Sequence, residues 1–132
     1  MTEADVFAMG QFVDDCQTAY TVTELTAFLH EKNAFAFVAV EQAVIVGFAY
    51  GYMLIKPDGR KAFYLHAIDI MKEYQGKGYG CGLVEYINRF SRQSGCEKMF
   101  LITGADNAAA NRCYEKAGGK CRATPDRVYN FY

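Results

Sequence analysis

The stretch from Tyr64 to Phe90 constrains the fold more than any other part of the sequence. Its first part, Tyr64–Ile70, is rich in aromatic and β-branched residues, which predicts a strand buried on at least one face. Glycine then occupies alternate positions over Gly76–Gly80. Apolar residues next recur at the i, i+4 and i+7 spacing of a helix, which we place over 78–94. The predicted order is therefore strand, glycine loop and helix.

The glycine loop has the features of an anion-binding site. Glycines at the start of a helix let the backbone approach a ligand closely, and the first free N–H groups and the helix dipole favour a negative charge there. Lys77 adds a positive charge, and no carboxylate lies between Gln75 and Cys81. A phosphate group fits this pattern. The alternative is a glycine-rich turn that only lets strand and helix pack, since such a loop is a weak signal alone.

Two common phosphate-binding motifs do not match the sequence of this loop. A nucleotide P-loop requires Ser or Thr after its Gly-Lys pair, but Gly78 follows Lys77. The dinucleotide fingerprint requires a glycine where Cys81 stands. The pattern that does match is Q/R-x-x-G-x-G/A, through Gln75, Gly78 and Gly80. It resembles the pyrophosphate-binding motif of the GNAT family, the acetyl-CoA-dependent N-acetyltransferases.

A second segment supports the resemblance. Asn107–Gly119 is similar to that family's N-x-x-A-x-x-x-Y-x-K-x-G-F segment and departs from it only at Gly119, where an aromatic residue is usual. The resemblance spans about Phe35–Tyr132. Within the family, the compact length and the ending Arg127–Tyr132 are similar to the small aminoglycoside 3-N-acetyltransferase-like members.

The resemblance implies an α/β fold with a mixed, mostly antiparallel twisted sheet, flanked by helices and splayed open at its centre. Family members usually begin with a further strand and helix before the segment that matches Val6, so we expect the N-terminal strand to be missing. Either that strand is dispensable or a partner chain covers the exposed edge. With 132 residues and 52% hydrophobic composition, we expect one domain over 1–132.

Local patterns predict the remaining elements. The predicted helices lie over Ala4–Cys16, from a Thr23 cap to Asn33, over 78–94 and from an Asp106 or Asn107 cap to Gly118. The predicted strands are Phe35–Val40, Val44–Ile55, Tyr64–Ile70, Glu97–Ile102 and a final strand or hairpin over Arg122–Tyr132. Gly47 and Gly51 indicate a bulge or a close backbone approach within the second strand.

Composition argues against several classes of function. The sequence has no apolar run long enough to span a membrane, and its N-terminus lacks the basic start and apolar core of a signal peptide. We therefore expect a cytoplasmic protein. The five cysteines show no C-x-x-C pair and come with only two histidines, so we expect reduced thiols and no metal site. A net charge of −1 without a basic run gives no support for nucleic-acid binding.

The cosubstrate that the resemblance implies is acetyl-CoA. The glycine loop would hold its pyrophosphate, and Asn107 would hydrogen-bond the pantetheine arm or the backbone of the cofactor, although helix capping is the alternative role of Asn107. The predicted cofactor-binding residues are Ile68, Asp69, Ile70, Gln75, Gly76, Lys77, Gly78, Tyr79, Gly80, Cys81, Asn107 and Tyr114.

Tyr114 occupies the tyrosine position of the second motif. The resemblance implies that its hydroxyl hydrogen-bonds the thioester sulfur and donates a proton, and helix packing alone is the alternative. Because a thiol has a pKa near 8.5, a tyrosine of pKa about 10 protonates the sulfur only as the carbon–sulfur bond breaks.

The general base is less evident. A lysine-like amine of pKa about 10.4 costs roughly 4.6 kcal/mol to neutralise at pH 7, which a base or a desolvated site must supply. Alternation along the strand predicts that His66 and Asp69 point to opposite faces. The face of His66 would also carry Tyr64, Ile68 and Ile70. We predict His66 as the base, because histidine is mostly neutral at pH 7. A structural His66, with a chain of water molecules as the base, is the alternative.

The amine substrate stays open. Antibiotic, polyamine, amino-acid and protein amines all fit, and Ala67 stands where related aminoglycoside-modifying enzymes carry an aspartate. Asp14, Asp15 and Glu24 could lie at a substrate cleft or form a solvated surface. The absence of an evident carboxylate base motivates a competing hypothesis, a non-catalytic module that binds acetyl-CoA or a partner.

Self-association is a further expectation. A missing first strand leaves Phe35–Val40 near a sheet edge, and an unpaired apolar strand is a template for another chain. Tyr129, Phe131 and Tyr132 add aromatic surface. A symmetric homodimer would cover both surfaces, whereas the segment 4–16 could instead fold back over the edge within one chain.

Overall fold

The computed structural model describes residues 1–9, 12, 20–122 and 127–132. The described helices are α1 (Glu3–Ala8), α2 (Val22–His30), α3 (Tyr79–Gln93) and α4 (Ala108–Lys116), with a short 3-10 helix at Lys72–Tyr74. The strands are β1 (Ala34–Glu41), β2 (Val44–Ile55), β3 (Lys61–Ile70) and β4 (Lys98–Phe100). No helix in these ranges is both long enough and apolar enough to cross a membrane.

The described strands form one sheet in the order β1-β2-β3-β4. The first two pairings are antiparallel and the pairing of β3 with β4 is parallel, so the sheet is mixed and mostly antiparallel, as predicted. Gln42 and Ala43 connect β1 to β2 with φ values of 49° and 64°. These left-handed conformations give a two-residue hairpin turn the twist that its strands require.

Each face of the sheet carries its own core cluster. On the face that we name the α3 face, Leu83, Val84 and Ile87 of α3 pack onto Phe63 and Leu65 of β3. On the opposite face, which we name the α2 face, the first two helices pack against β1 and β2. The buried side chains there are Val6, Met9, Phe12, Leu25, Ala36, Ile45 and Phe48. The sheet is thus covered by helices on both faces, as the α/β prediction requires.

A β-bulge at His66 interrupts the alternation of β3. Gly51 of β2 pairs with Leu65, and the adjacent Tyr50 pairs with Ala67, so His66 is the extra residue. One additional residue moves all later side chains of the strand to the opposite face.

The bulge overturns the predicted assignment of faces on β3. Ile68 and Ile70 pack into the α3-face cluster. His66 contacts tyrosine rings of β2 on the α2 face, and Asp69 lines a cavity on the same face. The prediction that His66 and Asp69 lie on opposite faces was therefore wrong, and so was the grouping of His66 with the two isoleucines.

Two glycines of β2 lie where neighbouring atoms leave no room for a side chain. A Cβ at Gly51 would lie 2.2 Å from the carbonyl oxygen of Tyr64, and a Cβ at Gly47 would lie 2.7 Å from Cδ1 of Ile70. The strand register shifts beside both glycines. The predicted bulge or close approach is confirmed at each position.

The sheet opens between β3 and β4. Residues 62–64 pair with 98–100, after which β3 continues to Ile70 while the chain beyond Phe100 leaves the strand conformation. The predicted central splay is therefore confirmed. The strand predicted over Glu97–Ile102 is shorter than expected, because only Lys98–Phe100 pairs with a described strand.

The cap of α2 differs from the prediction. Thr21, not Thr23, is the N-cap, and its hydroxyl accepts a hydrogen bond from the Glu24 backbone at 3.2 Å and donates to the Glu24 carboxylate at 3.0 Å. Only Thr21 has a glutamate three residues later, which is the pairing that stabilises such a cap. The helix ends at His30, before the predicted stop at Asn33.

The two ends of the chain also differ from the prediction. The helix predicted over Ala4–Cys16 is observed as the shorter α1, and residues 10–11 and 13–16 lie outside the described ones. No strand forms at Arg122 or over 127–132, and 123–126 lie outside the described residues. Val128, Tyr129 and Phe131 are exposed, so no sheet face buries them.

Candidate active site

The glycine loop joins β3 to α3 in an open conformation. Gly76 and Gly78 have φ values of 77° and 92°, a region that favours glycine. Gly78 is the N-cap of α3, and a Cβ at either glycine would meet nothing within 4 Å. The backbone of the loop therefore faces space that a ligand can enter.

The loop presents a row of free backbone donors. Within the described chain, the N–H groups of residues 77–81 make no hydrogen bond, and the first cap bond of α3 runs from Gly82 to the carbonyl of Gly78 at 3.0 Å. The first turn of α3 carries no acidic residue, and the Lys77 Nζ atom lies 5.5 Å from the centre of the Tyr74 ring. Free N–H groups at a helix N-terminus, with a lysine beside them, favour a phosphate.

Two side chains of the loop are used to hold it in place. The Gln75 Nε2 atom donates to the carbonyl oxygen of Ile70 at 3.0 Å, which ties the loop to the end of β3. The Tyr79 hydroxyl donates to the Glu41 carboxylate at the end of β1. This hydrogen bond raises the pKa of Tyr79 above its usual value. Gln75 and Tyr79 thus shape the loop, while the backbone stays free for a ligand.

The helices α3 and α4 meet beside the loop. A Cβ at Gly80 would lie 3.7 Å from Cγ1 of Ile70 and 3.9 Å from Sγ of Cys113, which are ordinary contacts. Cys81 Sγ lies 3.7 Å from the Cys113 carbonyl oxygen. Burial, reinforced by Cys81 and Glu85, raises the pKa of Cys113 to about 11. Gly80 and Cys81 therefore form the contact between the helices, and the Cys113 thiol keeps its proton at neutral pH.

The helix α4 places Tyr114 against the α3-face core. Asn107 caps this helix, because its Oδ1 atom accepts from the Ala110 N–H at 3.3 Å. Tyr114 is half-buried, and burial raises its pKa above the usual value, with further contributions from Cys113 and Asp69. The capping role of Asn107 is confirmed, and the Tyr114 hydroxyl remains protonated at neutral pH.

His66 lies among tyrosine rings on the α2 face. Its ring centroid is 5.2 Å from that of Tyr64, 5.3 Å from that of Tyr50 and 5.9 Å from that of Tyr52. The imidazole is exposed. Among the residues described, no ring contact or hydrogen bond joins it to Tyr114. The two predicted catalytic residues are therefore not in direct contact.

A cavity of about 370 Å³ opens beside these rings, and we name it the aromatic pocket. Its described lining comprises Tyr20, Thr21, Glu24, Leu25, Phe28, Phe48, Tyr50, Tyr52, Ala67 and Asp69. Asp69 also contributes to the raised pKa of Tyr114.

The aromatic pocket was not predicted. Phe48, Tyr50 and Tyr52 alternate along β2 and so share one face, a signal that the sequence does contain. The contacts of Tyr50 and Tyr52 with Phe28 depend on how α2 packs, and the position of Asp69 depends on the β3 bulge. Neither packing nor bulge could be read from local spacing.

The other acidic residues considered for a substrate cleft have different outcomes. Glu24 lines the aromatic pocket, whereas Asp14 and Asp15 lie outside the described residues. Across the part of the chain that is described, no group of three His, Cys, Asp or Glu side chains could hold a metal ion.

A larger cavity of about 1000 Å³ follows the outer edge of β1, and we name it the edge groove. Its α3 wall consists of Gly78, Tyr79, Gly82, Leu83, Tyr86 and Phe90. The Met1 ammonium donates to the carbonyl oxygen of Ala36 at 3.1 Å. Among the described strands, β1 pairs with β2 alone. Within the described part of the chain, no second strand covers the outer edge of β1, although the Met1 ammonium contacts it at Ala36.

Comparison with known proteins agrees with this arrangement. The model of the acetyltransferase (GNAT) family matches residues 6–119. N-alpha-acetyltransferase 30 of Schizosaccharomyces pombe is 28% identical over 122 residues, which cover 89% of this chain and 77% of that protein.

Solved structures share the fold at low sequence identity. An aminoglycoside acetyltransferase from an uncultured soil metagenomic sample, in complex with sisomicin, aligns with a TM-score of 0.75 at 20% identity and covers 100% of this chain and 91% of its own. The aminoglycoside N-acetyltransferase AAC(6')-Iy in complex with CoA aligns with a TM-score of 0.71 at 17% identity and covers 84% of this chain and 85% of its own. With the family model matching most of the chain, this protein belongs to the GNAT family of acetyltransferases.

Proposed function

We propose that this chain transfers the acetyl group of acetyl-CoA to a primary amine of a small molecule, by direct attack of the amine. The observation that carries the proposal is the row of free backbone N–H groups at residues 77–81, which follows the end of β3 where Asp69 lines the aromatic pocket. A cosubstrate held by the loop and an amine held in the pocket would meet at this end of the strand. A pocket for the acceptor and a proton donor are what such a transfer needs.

The glycine loop is proposed to hold the cosubstrate. Its free N–H groups at residues 77–81 would bind the pyrophosphate, and Lys77 would add charge. Residues 68–70, at the open end of β3, and Asn107 would line the remainder of the cosubstrate site. Acetyl-CoA supplies an acetyl group on a thioester, and the residues of the chain supply its binding and orientation.

Tyr114 is proposed as the proton donor to the sulfur. Burial keeps its hydroxyl protonated, so the group holds a proton throughout the neutral range. A phenol in this state can hydrogen-bond a sulfur atom on which negative charge develops. Its position against the α3-face core fixes the ring.

His66 and Asp69 are the two candidates for accepting the amine proton. His66 touches Tyr50 and Tyr52, which line the aromatic pocket, and its exposed ring can pass a proton to water. Asp69 lines the pocket itself. We propose His66 as the base and Asp69 as the group that holds the ammonium before it loses its proton.

The test is thiol release from acetyl-CoA in the presence of a panel of primary amines. We expect release above the hydrolysis background with at least one amine, and its loss in Tyr114→Phe. Calorimetry of acetyl-CoA binding to both proteins provides the control. Tight binding of acetyl-CoA with no turnover on any amine would contradict the proposal and favour a non-catalytic acetyl-CoA-binding module.

We also propose that the chain acts as a single domain, in the cytoplasm, and as a homodimer. The open edge of β1, the edge groove and the exposed aromatic side chains of 127–132 support self-association, because an unpaired edge and contiguous apolar surface both favour a partner. Light scattering over a dilution series tests it. The mass of two chains is expected, and the mass of one chain at every concentration would eliminate the dimer.

A further inference from the structure

We propose that the aromatic pocket selects one class of acceptor, a single primary ammonium joined to one compact apolar group. This inference rests on the proposed transfer to an amine and narrows its substrate. It follows from three properties of the pocket, which are its continuous aromatic wall, the sign of its charge and its size.

The wall of the pocket is a continuous set of rings. The Phe28 centroid lies 5.6 Å from that of Tyr50 and 5.9 Å from that of Tyr52. Phe48 lies 5.2 Å from Tyr20 and 5.9 Å from Tyr50. A wall of this kind provides π faces for a cation and apolar surface for the group attached to it.

The charge of the pocket favours a cation. Glu24 and Asp69 are the ionisable carboxylates of its described lining, and that lining contains no lysine, arginine or histidine. An ammonium that approaches the rings is therefore attracted by carboxylates as well as by π faces. A neutral molecule of the same shape would gain only the apolar contact.

The size of the pocket argues against a large polycation. Its volume of about 370 Å³ is near the lower end of the roughly 300–1,000 Å³ that small-molecule pockets span. An aminoglycoside or a long polyamine carries more ammonium groups than the two carboxylates can pair with. A molecule with one ammonium on a compact apolar group fits the space, and its single positive charge can interact with the carboxylates.

Two sources can present this chemistry, a free amine and the first residue of a polypeptide. The binding experiment therefore uses four probes, namely 2-phenylethylammonium, the uncharged 2-phenylethanol, spermidine, and a short peptide with a free α-amine on an N-terminal leucine. Binding is measured by calorimetry without acetyl-CoA, so the result does not depend on turnover.

The variants are Tyr52→Leu, which removes one ring, and Tyr52→Phe, which keeps it. We expect Tyr52→Leu to weaken 2-phenylethylammonium binding about 5-fold, the scale of one partly exposed cation–π contact, and Tyr52→Phe to change it less than about 2-fold. Glu24→Gln should weaken it about 3-fold, an effect that decreases as salt is added. Unchanged acetyl-CoA affinity would show that each variant is folded.

The outcomes separate the two proposals. Preference for 2-phenylethylammonium or for the peptide over the alcohol and spermidine supports the inference, and the better of the two identifies the source. Equal binding of 2-phenylethanol, or tighter binding of spermidine, overturns it even if amine-dependent thiol release is found. Selective ammonium binding without thiol release on any amine would instead overturn the transfer proposal and leave the pocket assignment standing.

Discussion

The glycine loop and the aromatic pocket lie at the same end of β3 but are built in opposite ways. The loop comes from consecutive residues and offers backbone N–H groups, so its chemistry depends on conformation more than on side chains. The pocket takes side chains from α2, β2 and β3. A common anionic group needs only the first kind of site, whereas recognition of a particular amine needs the second. The two sites should therefore fail independently, whereas a change at the proposed proton donor Tyr114 should affect the transfer itself.

The largest effect is expected where both sites converge. Tyr114→Phe removes the proton donor but little volume, so turnover should fall about 100-fold, within the range for loss of an acid catalyst. Acetyl-CoA affinity and ammonium affinity should each change less than about 2-fold. Steady-state kinetics and calorimetry on the same preparation measure all three. Full activity in Tyr114→Phe would show that Tyr114 is not the proton donor and only packs against the core.

The next comparison separates His66 from Asp69 on the pocket side. His66→Gln should lower turnover roughly 10-fold and change the KM for the amine less than about 2-fold, because a base acts in the chemical step. Asp69→Asn should instead mainly raise the KM for the amine. A turnover equal to that of the parent in His66→Gln would show that His66 is not the base.

A smaller effect tests the loop alone. Gly78→Val introduces a side chain at a φ of 92° beside the free N–H groups, and we expect acetyl-CoA affinity to fall about 10-fold, or about 1.4 kcal/mol. Gly59→Val is the matched control, because Gly59 has a φ of 88° in a turn with the same open surroundings. Both variants should lose about 1 kcal/mol of stability from the strained backbone. If Gly59→Val weakened acetyl-CoA equally, backbone strain and not the loop would explain the result.

The loop was predictable from the sequence because its signals are local. Alternate glycines and an apolar helical period specify a turn and a helix regardless of what packs around them, and α3 formed within a residue of its predicted ends. The face assignment on β3 failed because it assumed unbroken alternation, and the bulge at His66 depends on a cross-strand contact between Gly51 and Tyr64. Of the predicted final strand, Arg122 and 127–132 do not form strand, and no described strand pairs with them, whereas 123–126 lie outside the described residues.

A further effect concerns alkaline stability on the α3 face. The pKa of Cys113 is raised to about 11 in the folded protein, so folding holds its proton more tightly than the unfolded chain does. Its contribution to stability is complete below the usual pKa of a thiol and is lost as the pH rises toward 11. Denaturant unfolding between pH 8 and 11 should show this loss, and Cys113→Ser should reduce it. An identical pH dependence in Cys113→Ser would exclude the thiol as its cause.

The hydrogen bond from Tyr79 to Glu41 gives the loop a second role. It joins the first residue of α3 to the last residue of β1, and thus connects a ligand-binding backbone to the tip of the first hairpin. By thermodynamic reciprocity, a ligand that binds the ordered loop more tightly must shift the opening equilibrium of the hairpin toward the closed form by the same factor by which the closed hairpin strengthens ligand binding. Amide hydrogen exchange near Glu41 should therefore slow when acetyl-CoA binds, and Tyr79→Phe should abolish that response. A distant turn thereby becomes a reporter of cosubstrate occupancy.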